Sequence, residues 1–216
     1  MSLLDASVEL FGEHILWTDL IGNVLSLAVV WLAMRKTLWT WPVQMTGAFL
    51  LLAASLHADA PGNALKQVLF IGLAVLGWWS WARGRRGEHG RLAVRPATAC
   101  ERVVLLAALV LGTALVAQLF LHLDWLRIAW SPWANASIFV GSAVATFAQS
   151  RALTDFWLIW VLVDLVGVPL ALKSGLYVSA AVYGVFFVMV MIGFRDWHRE
   201  SRARIERSPR REAVRA

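Results

Sequence analysis

An all-α, multi-pass membrane protein with seven transmembrane helices is the fold class this sequence predicts, on three observations. The chain of 216 residues is 59% hydrophobic and only 16% charged, a balance typical of membrane proteins rather than of water-soluble domains. Apolar runs close to the roughly 20 residues that cross a hydrocarbon core recur at 15–34, 38–56, 64–82, 103–121, 131–150, 154–172 and 176–194. The basic residues also alternate from side to side of these runs. With the N-terminus outside, the inward segments hold Arg35, Lys36, six arginines in 83–102, Arg151 and eight arginines after Phe194, against Lys66, Arg127 and Lys173 outside. That asymmetry is the positive-inside signature of an external N-terminus and a cytoplasmic C-terminus.

In chain order, residues 1–14 lack Lys and Arg and have no long apolar core, so a cleavable signal peptide is not expected. They form an external segment in which Leu3, Leu4, Val8 and Phe11 suit a short interfacial helix. Residues 15–82 hold the first three spans. Residues 83–130 make a basic cytoplasmic loop and a linker helix at 103–121, the blandest run, mostly Ala, Leu and Val. Residues 131–194 hold the last three spans, and 195–216 form a basic cytoplasmic tail. No water-soluble domain is left over, because the longest polar stretches are 83–102 and this tail.

A shift of 116 residues, the separation of Arg35 and Arg151, also aligns Ser26 with Ser142, Trp41 with Trp157 and Leu56 with Leu172. The same shift aligns Ala64 with Ala180, Phe70 with Phe186, Gly77 with Gly193 and Trp81 with Trp197. One register held without a gap over three spans marks an internal repeat. Three spans would place the second copy upside down, and the linker helix restores its orientation. The expected plan is therefore 3+1+3 with parallel repeats, as in transporters that bind solute near the midplane where repeats meet.

Few polar groups lie within the spans. Asp164 stands in the sixth, where a charge costs about 2.5 to 3.5 kcal/mol on insertion scales unless it meets a partner or a wet cavity. Trp160 precedes it by four residues and so shares its helical face. Asn23 and Gln44 lie in the first two spans, while Gln67 and Tyr183 correspond through the repeat, as do Gln44 and Trp160. Hydrogen-bonding groups facing an aromatic wall suit a flat ligand with polar edges. The structural alternatives are interhelical hydrogen bonds for Asn23 and Gln44 and a protonated or hydrogen-bonded Asp164. Pro42 and Pro169 interrupt apolar runs and are candidate hinges or fixed kinks. Trp39, Trp78, Trp79, Trp125, Trp130, Trp133 and Trp197 lie near span ends, as interfacial anchors do.

Catalysis is not expected. The five histidines fall outside the spans or at their edges, and there is no nucleophile elbow, zinc helix motif or phosphate loop. A single cysteine, Cys100, excludes an intrachain disulfide and a Cys-rich metal site. No metal or cofactor is implied. The last span has no lysine for a retinal Schiff base. The net charge of +6 follows the topology, so nucleic acid is not an expected partner, whereas the lipid bilayer is. The oligomeric state is left open, a homo-oligomer included.

The block W-A-N-A-S-I-F-V-G-S from Trp133, F-W-L-I-W-V-L-V-D-L-V-G-V-P-L from Phe156 and G-F-R-D-W ending at Trp197 resembles the second half of the Pnu-type vitamin transporters. I-G-N-V-L-S at 21–26, W-T-W-P at 39–42, and Gln67 followed by G-W-W-S-W at 77–81 resemble the first half, so the likeness runs from 17 to 197. The resemblance implies a multi-pass protein of the bacterial inner (plasma) membrane. It would pass an unphosphorylated vitamin by facilitated diffusion, trapped afterwards by a cytoplasmic kinase. It also implies that Trp160 and Asp164 occupy the family's Trp-x-x-x-Asn motif and that Gln67 contacts substrate. Asp164 departs from that Asn, and the segment is closest to the riboflavin-transporting actinobacterial subgroup. Riboflavin is therefore expected first, nicotinamide riboside second and thiamine third. A non-transporting membrane scaffold or sensor remains the alternative of another class.

Overall fold

A computed structural model describes residues 7–10, 13–57, 61–84, 92–122, 131–173 and 177–215. Its helices are α1 (Trp17–Met34), α2 (Thr40–His57), α3 (Pro61–Gly84), α4 (Ala99–His122), α5 (Pro132–Ser150), α6 (Phe156–Lys173) and α7 (Tyr177–Arg215). These coincide with the seven apolar runs to within a few residues. Two departures stand out. An antiparallel hairpin, β1 (Ser7–Leu10) with β2 (Glu13–Leu16), pairs Val8 with Ile15 where a short interfacial helix was expected. The alternation of Ser, Val, Glu and Leu over 7–10 is a strand period, with too few residues for a helical face.

The second departure is α7, which has 39 residues. At 1.5 Å per residue it reaches roughly 58 Å, about twice a hydrocarbon core. The sequence R-D-W-H-R-E-S-R-A-R-I-E-R that follows the last apolar run contains good helix formers and mixed charges, so the helix propagates through the basic tail instead of stopping at the membrane edge.

The chain divides into two compact units, Met1–Trp79 and Ser80–Ala216. In the first, α1 packs on α2. Helix α1 ends when Lys36 adopts φ 55°, with Lys36 N–H donating to the Ala33 carbonyl (2.9 Å) and Thr37 N–H to the Leu32 carbonyl (3.1 Å). That is a Schellman stop with lysine in the left-handed position that glycine favours. Thr40 N–H then donates to Thr37 O (3.3 Å) and Trp41 N–H to Leu38 O (3.3 Å), starting α2. Trp41 is fully buried, and a Cβ on Gly77 would fall inside its ring.

In the second unit α5 packs on both α4 and α6, and α6 packs on α7. Helix α5 ends as α1 does. Ala152 has φ 54°, its N–H donates to Gln149 O (2.8 Å), and Leu153 N–H donates to Ala148 O (3.1 Å). Phe156 N–H to Leu153 O (3.5 Å) and Trp157 N–H to Thr154 O (3.4 Å) begin α6. Trp157 is 1% exposed, and a Cβ on Gly193 would sit 2.5 Å from its Cη2. Each of these positions lies 116 residues after its counterpart in the first unit.

Trp197 was expected at the interface and is instead completely buried. Because α7 does not stop at 194, Trp197 is carried into an aromatic cluster, 5.1 Å from Phe156, 5.9 Å from Trp157 and 6.2 Å from Trp81 between ring centroids. Trp81 anchors the cluster by donating its Nε1–H to Gln149 O at 2.9 Å. Trp39, Trp78, Trp79 and Trp133 are exposed, as interfacial anchors are, while Trp125 and Trp130 lie outside the described residues. Helix α4 buries only Leu105 and Ala117 among its apolar residues. It and Ala64–Gly84 are both long and apolar enough to cross a bilayer.

Candidate functional site

Asp164, a buried carboxylate of the second unit, lies on the inner side of α6. A 3.6-residue repeat places Trp157, Trp160, Asp164 and Gly167 on a single stripe, while Leu158, Leu162, Leu165 and Leu172 face outward and are exposed. The outward leucines give the helix its lipid-compatible side and leave the other for packing and chemistry. Asp164 is 3% exposed, and its Oδ2 has no hydrogen-bond partner among the described residues. A fully occluded carboxylate oxygen without a donor is uncommon, because an unmet hydrogen bond to a charged group costs more than the typical 1–3 kcal/mol.

Tyr183 of α7 closes on the same stripe. A Cβ at Gly167 would lie 3.1 Å from Tyr183 Cε1 and 3.2 Å from Cζ, so the absence of a side chain at 167 lets the phenol lie flat against α6. Trp160 and Tyr183 are each half-buried, so both rings keep an open edge. An aromatic ring one turn from a buried acceptor, with a phenol beside it, can stack a flat heterocycle and accept hydrogen bonds from its N–H or from attached hydroxyls. Of the expected contacts, Trp160 and Asp164 share one face of α6, and Tyr183 of α7 packs on Gly167 of the same stripe.

The first-unit candidates are described by themselves. Gln67 is 5% exposed on α3. Gln44 is half-buried on α2. Asn23 lies on α1, and its side chain falls outside the described residues. Pro42 occupies the first turn of α2, where no intrahelical N–H bond is lost, so it starts a helix rather than hinging one. Pro169 does interrupt α6, which nevertheless continues to Lys173.

Three features escaped the sequence reading. Gly167 was visible as the glycine three residues after Asp164. Trp157 and Gly193 were aligned by the repeat with Trp41 and Gly77, but no contact was inferred. The segment T-A-C-E at 98–101 is a capping box, with Glu101 N–H donating to Thr98 Oγ1 (3.2 Å) and Thr98 N–H to Glu101 Oε2 (2.9 Å). Among the described residues no cluster of His, Cys, Asp and Glu could hold a metal.

Known proteins resemble this chain over nearly all of its length. The family model described as nicotinamide mononucleotide transporter matches residues 16–199. The riboflavin/roseoflavin transporter RibM of Streptomyces davaonensis is 42% identical, covering 93% of this chain and 95% of that protein. The nicotinamide riboside transporter PnuC of Escherichia coli is 20% identical, with 91% of each chain covered. A crystal structure of the vitamin B3 transporter PnuC superposes with a TM-score of 0.66 at 16% identity, over 87% of this chain and 83% of that one, and so shares the fold. The chain belongs to the PnuC-type nicotinamide mononucleotide transporter family.

Proposed function

We propose that this protein is a plasma-membrane transporter that takes up riboflavin by facilitated diffusion, followed by metabolic trapping. The observation that carries the substrate assignment is the 42% identity to a riboflavin/roseoflavin transporter over 93% of the chain. The stripe of α6 supports it chemically. Trp160 stacks on the isoalloxazine, the Asp164 carboxylate accepts hydrogen bonds from the ring N–H or the ribityl hydroxyls, and Tyr183 lines the same wall. Gln67, Gln44 and Asn23 supply further polar contacts. The substrate thereby provides donors for an acceptor oxygen that the described protein leaves without one.

The N-out, C-in orientation and the 3+1+3 parallel repeat belong to the same proposal. In their support, the helix stops at Lys36 and Ala152 are alike bond for bond, and Trp41–Gly77 repeats as Trp157–Gly193. The basic residues favour the inward side as counted above. Nicotinamide riboside is the second reading, carried by the likeness to PnuC and by a carboxylate suited to a cation.

Uptake into proteoliposomes tests the assignment. Riboflavin should enter saturably and without an imposed ion gradient, faster than into empty liposomes. Entry of nicotinamide riboside alone would move the assignment to the second reading. Entry of neither would leave a scaffold or sensor.

A further inference from the structure

The linker between the repeats does more than connect them. Before α4 begins, residues 92–98 run alongside the α5–α6 turn. Arg95 N–H donates to Ala152 O (3.2 Å) and Thr154 N–H to Arg95 O (2.8 Å), a parallel bridge between Arg95 and Leu153. Leu92, Val94 and Ala97 are buried there, so the segment is packed as well as hydrogen-bonded.

Asp155 fastens it. As the residue before α6 it stands at the N-cap, where an Asp carboxylate ordinarily accepts its own helix's N–H groups. Here both oxygens are committed elsewhere. Oδ2 accepts Ala97 N–H at 2.7 Å, and Oδ1 accepts Arg102 Nε–H at 2.7 Å from the first turn of α4. The Asp155 side chain is 13% exposed and that of Arg102 59%, so the pair is partly withdrawn from water. Arg95 in turn grips Glu101 with two bonds of 2.7 and 2.6 Å, and Glu101 completes the capping box of α4. The corresponding turn of the first unit has Trp39 in place of Asp155, 69% exposed. Among the described residues, only the second of the two corners therefore carries such a fastening.

We propose that residues 92–102 and Asp155 form a clamp that fixes the start of α6, making Asp155 and Arg102 positioning residues for Trp160 and Asp164 further along that helix. The inference rests on the reading of α6 as the substrate-carrying helix. Trp160 lies five residues beyond Asp155, within two turns, so freedom at the cap reaches the ring directly.

The test uses full-length protein in detergent and two readouts. Riboflavin affinity is followed by fluorescence titration, and hydrogen exchange is followed across 156–164 without ligand. Asp155→Asn should weaken riboflavin binding roughly three- to tenfold, and Arg102→Gln should weaken it less. The double variant should bind no worse than Asp155→Asn, because both changes release one clamp. Arg102→Lys keeps the cation and should restore most of the affinity lost in Arg102→Gln. Exchange across 156–164 should quicken in Asp155→Asn. Unchanged affinity and exchange in folded Asp155→Asn would overturn the clamp, even if thermal stability fell. If wild-type protein fails to bind riboflavin, the substrate reading fails, and exchange alone decides whether Asp155 restrains α6.

Discussion

The α1–α2 corner and the α5–α6 corner are built from the same backbone and carry different chemistry. Both end a helix with a left-handed non-glycine residue, Lys36 or Ala152, and both bury a tryptophan against a glycine 36 positions later, Gly77 or Gly193. Beyond that frame the two corners part. Asp164 corresponds to Ala48, which is buried at 6%; Gly167 corresponds to Leu51, Trp160 to Gln44 and Asp155 to Trp39. The shared residues are those whose shape sets helix direction and close approach. The divergent ones can hydrogen-bond, stack or carry charge. On the proposed repeat, the shared positions set the scaffold, and the acidic and aromatic residues proposed for the site stand in the second half.

The largest effects should come from breaking the shared part. Trp157→Ala and Trp41→Ala should each cost about 3–5 kcal/mol, since each empties a fully buried ring site. Thermal unfolding in detergent should show similar losses. A corner that tolerates the change would break the equivalence of the two. Substitution of the divergent part should behave in the opposite way. Asp164→Ala should weaken riboflavin binding by about 1.5–3 kcal/mol, the strength of hydrogen bonds to a charged acceptor, with no loss of thermal stability because an unmet buried oxygen disappears. Matching losses of binding and stability would instead make Asp164 structural.

Smaller effects sharpen the frame. Gly193→Ala and Gly77→Ala should destabilise by about 1–3 kcal/mol through overpacking on the tryptophans. Gly184→Ala, where nothing lies within 4 Å of an added Cβ, should be neutral or slightly stabilising. The smallest change is expected at the helix stops. Lys36→Gly and Ala152→Gly should each stabilise by up to about 1 kcal/mol, the relief of a left-handed side chain partly offset by chain entropy. Equal shifts in thermal midpoint would support equal stops.

The helices were legible because each apolar run is close to the length that crosses a bilayer, and the Trp–Gly pairs lay in one 116-residue register. Asp164 was legible as a charge in an apolar run. The hairpin at 7–16 was not, since two four-residue strands leave little period to read. The reach of α7 was hidden because charged residues predominate after 194, which propensity and charge pairing can hold helical but apolar patterning cannot mark. Trp197 was misassigned for the same reason, because its burial follows from that continuation. The clamp joins Ala97 to Asp155 across 58 positions, and no local pattern encodes such a pairing, although the capping box at its foot could have been read directly.

The central claim is that riboflavin binds on the stripe of α6, and titration of riboflavin fluorescence with wild-type and Trp160→Ala protein tests it most directly. Wild type should quench the flavin saturably, while Trp160→Ala, folded and with Trp157 intact, should lose that saturable quenching. Undiminished saturable quenching in Trp160→Ala would contradict the account.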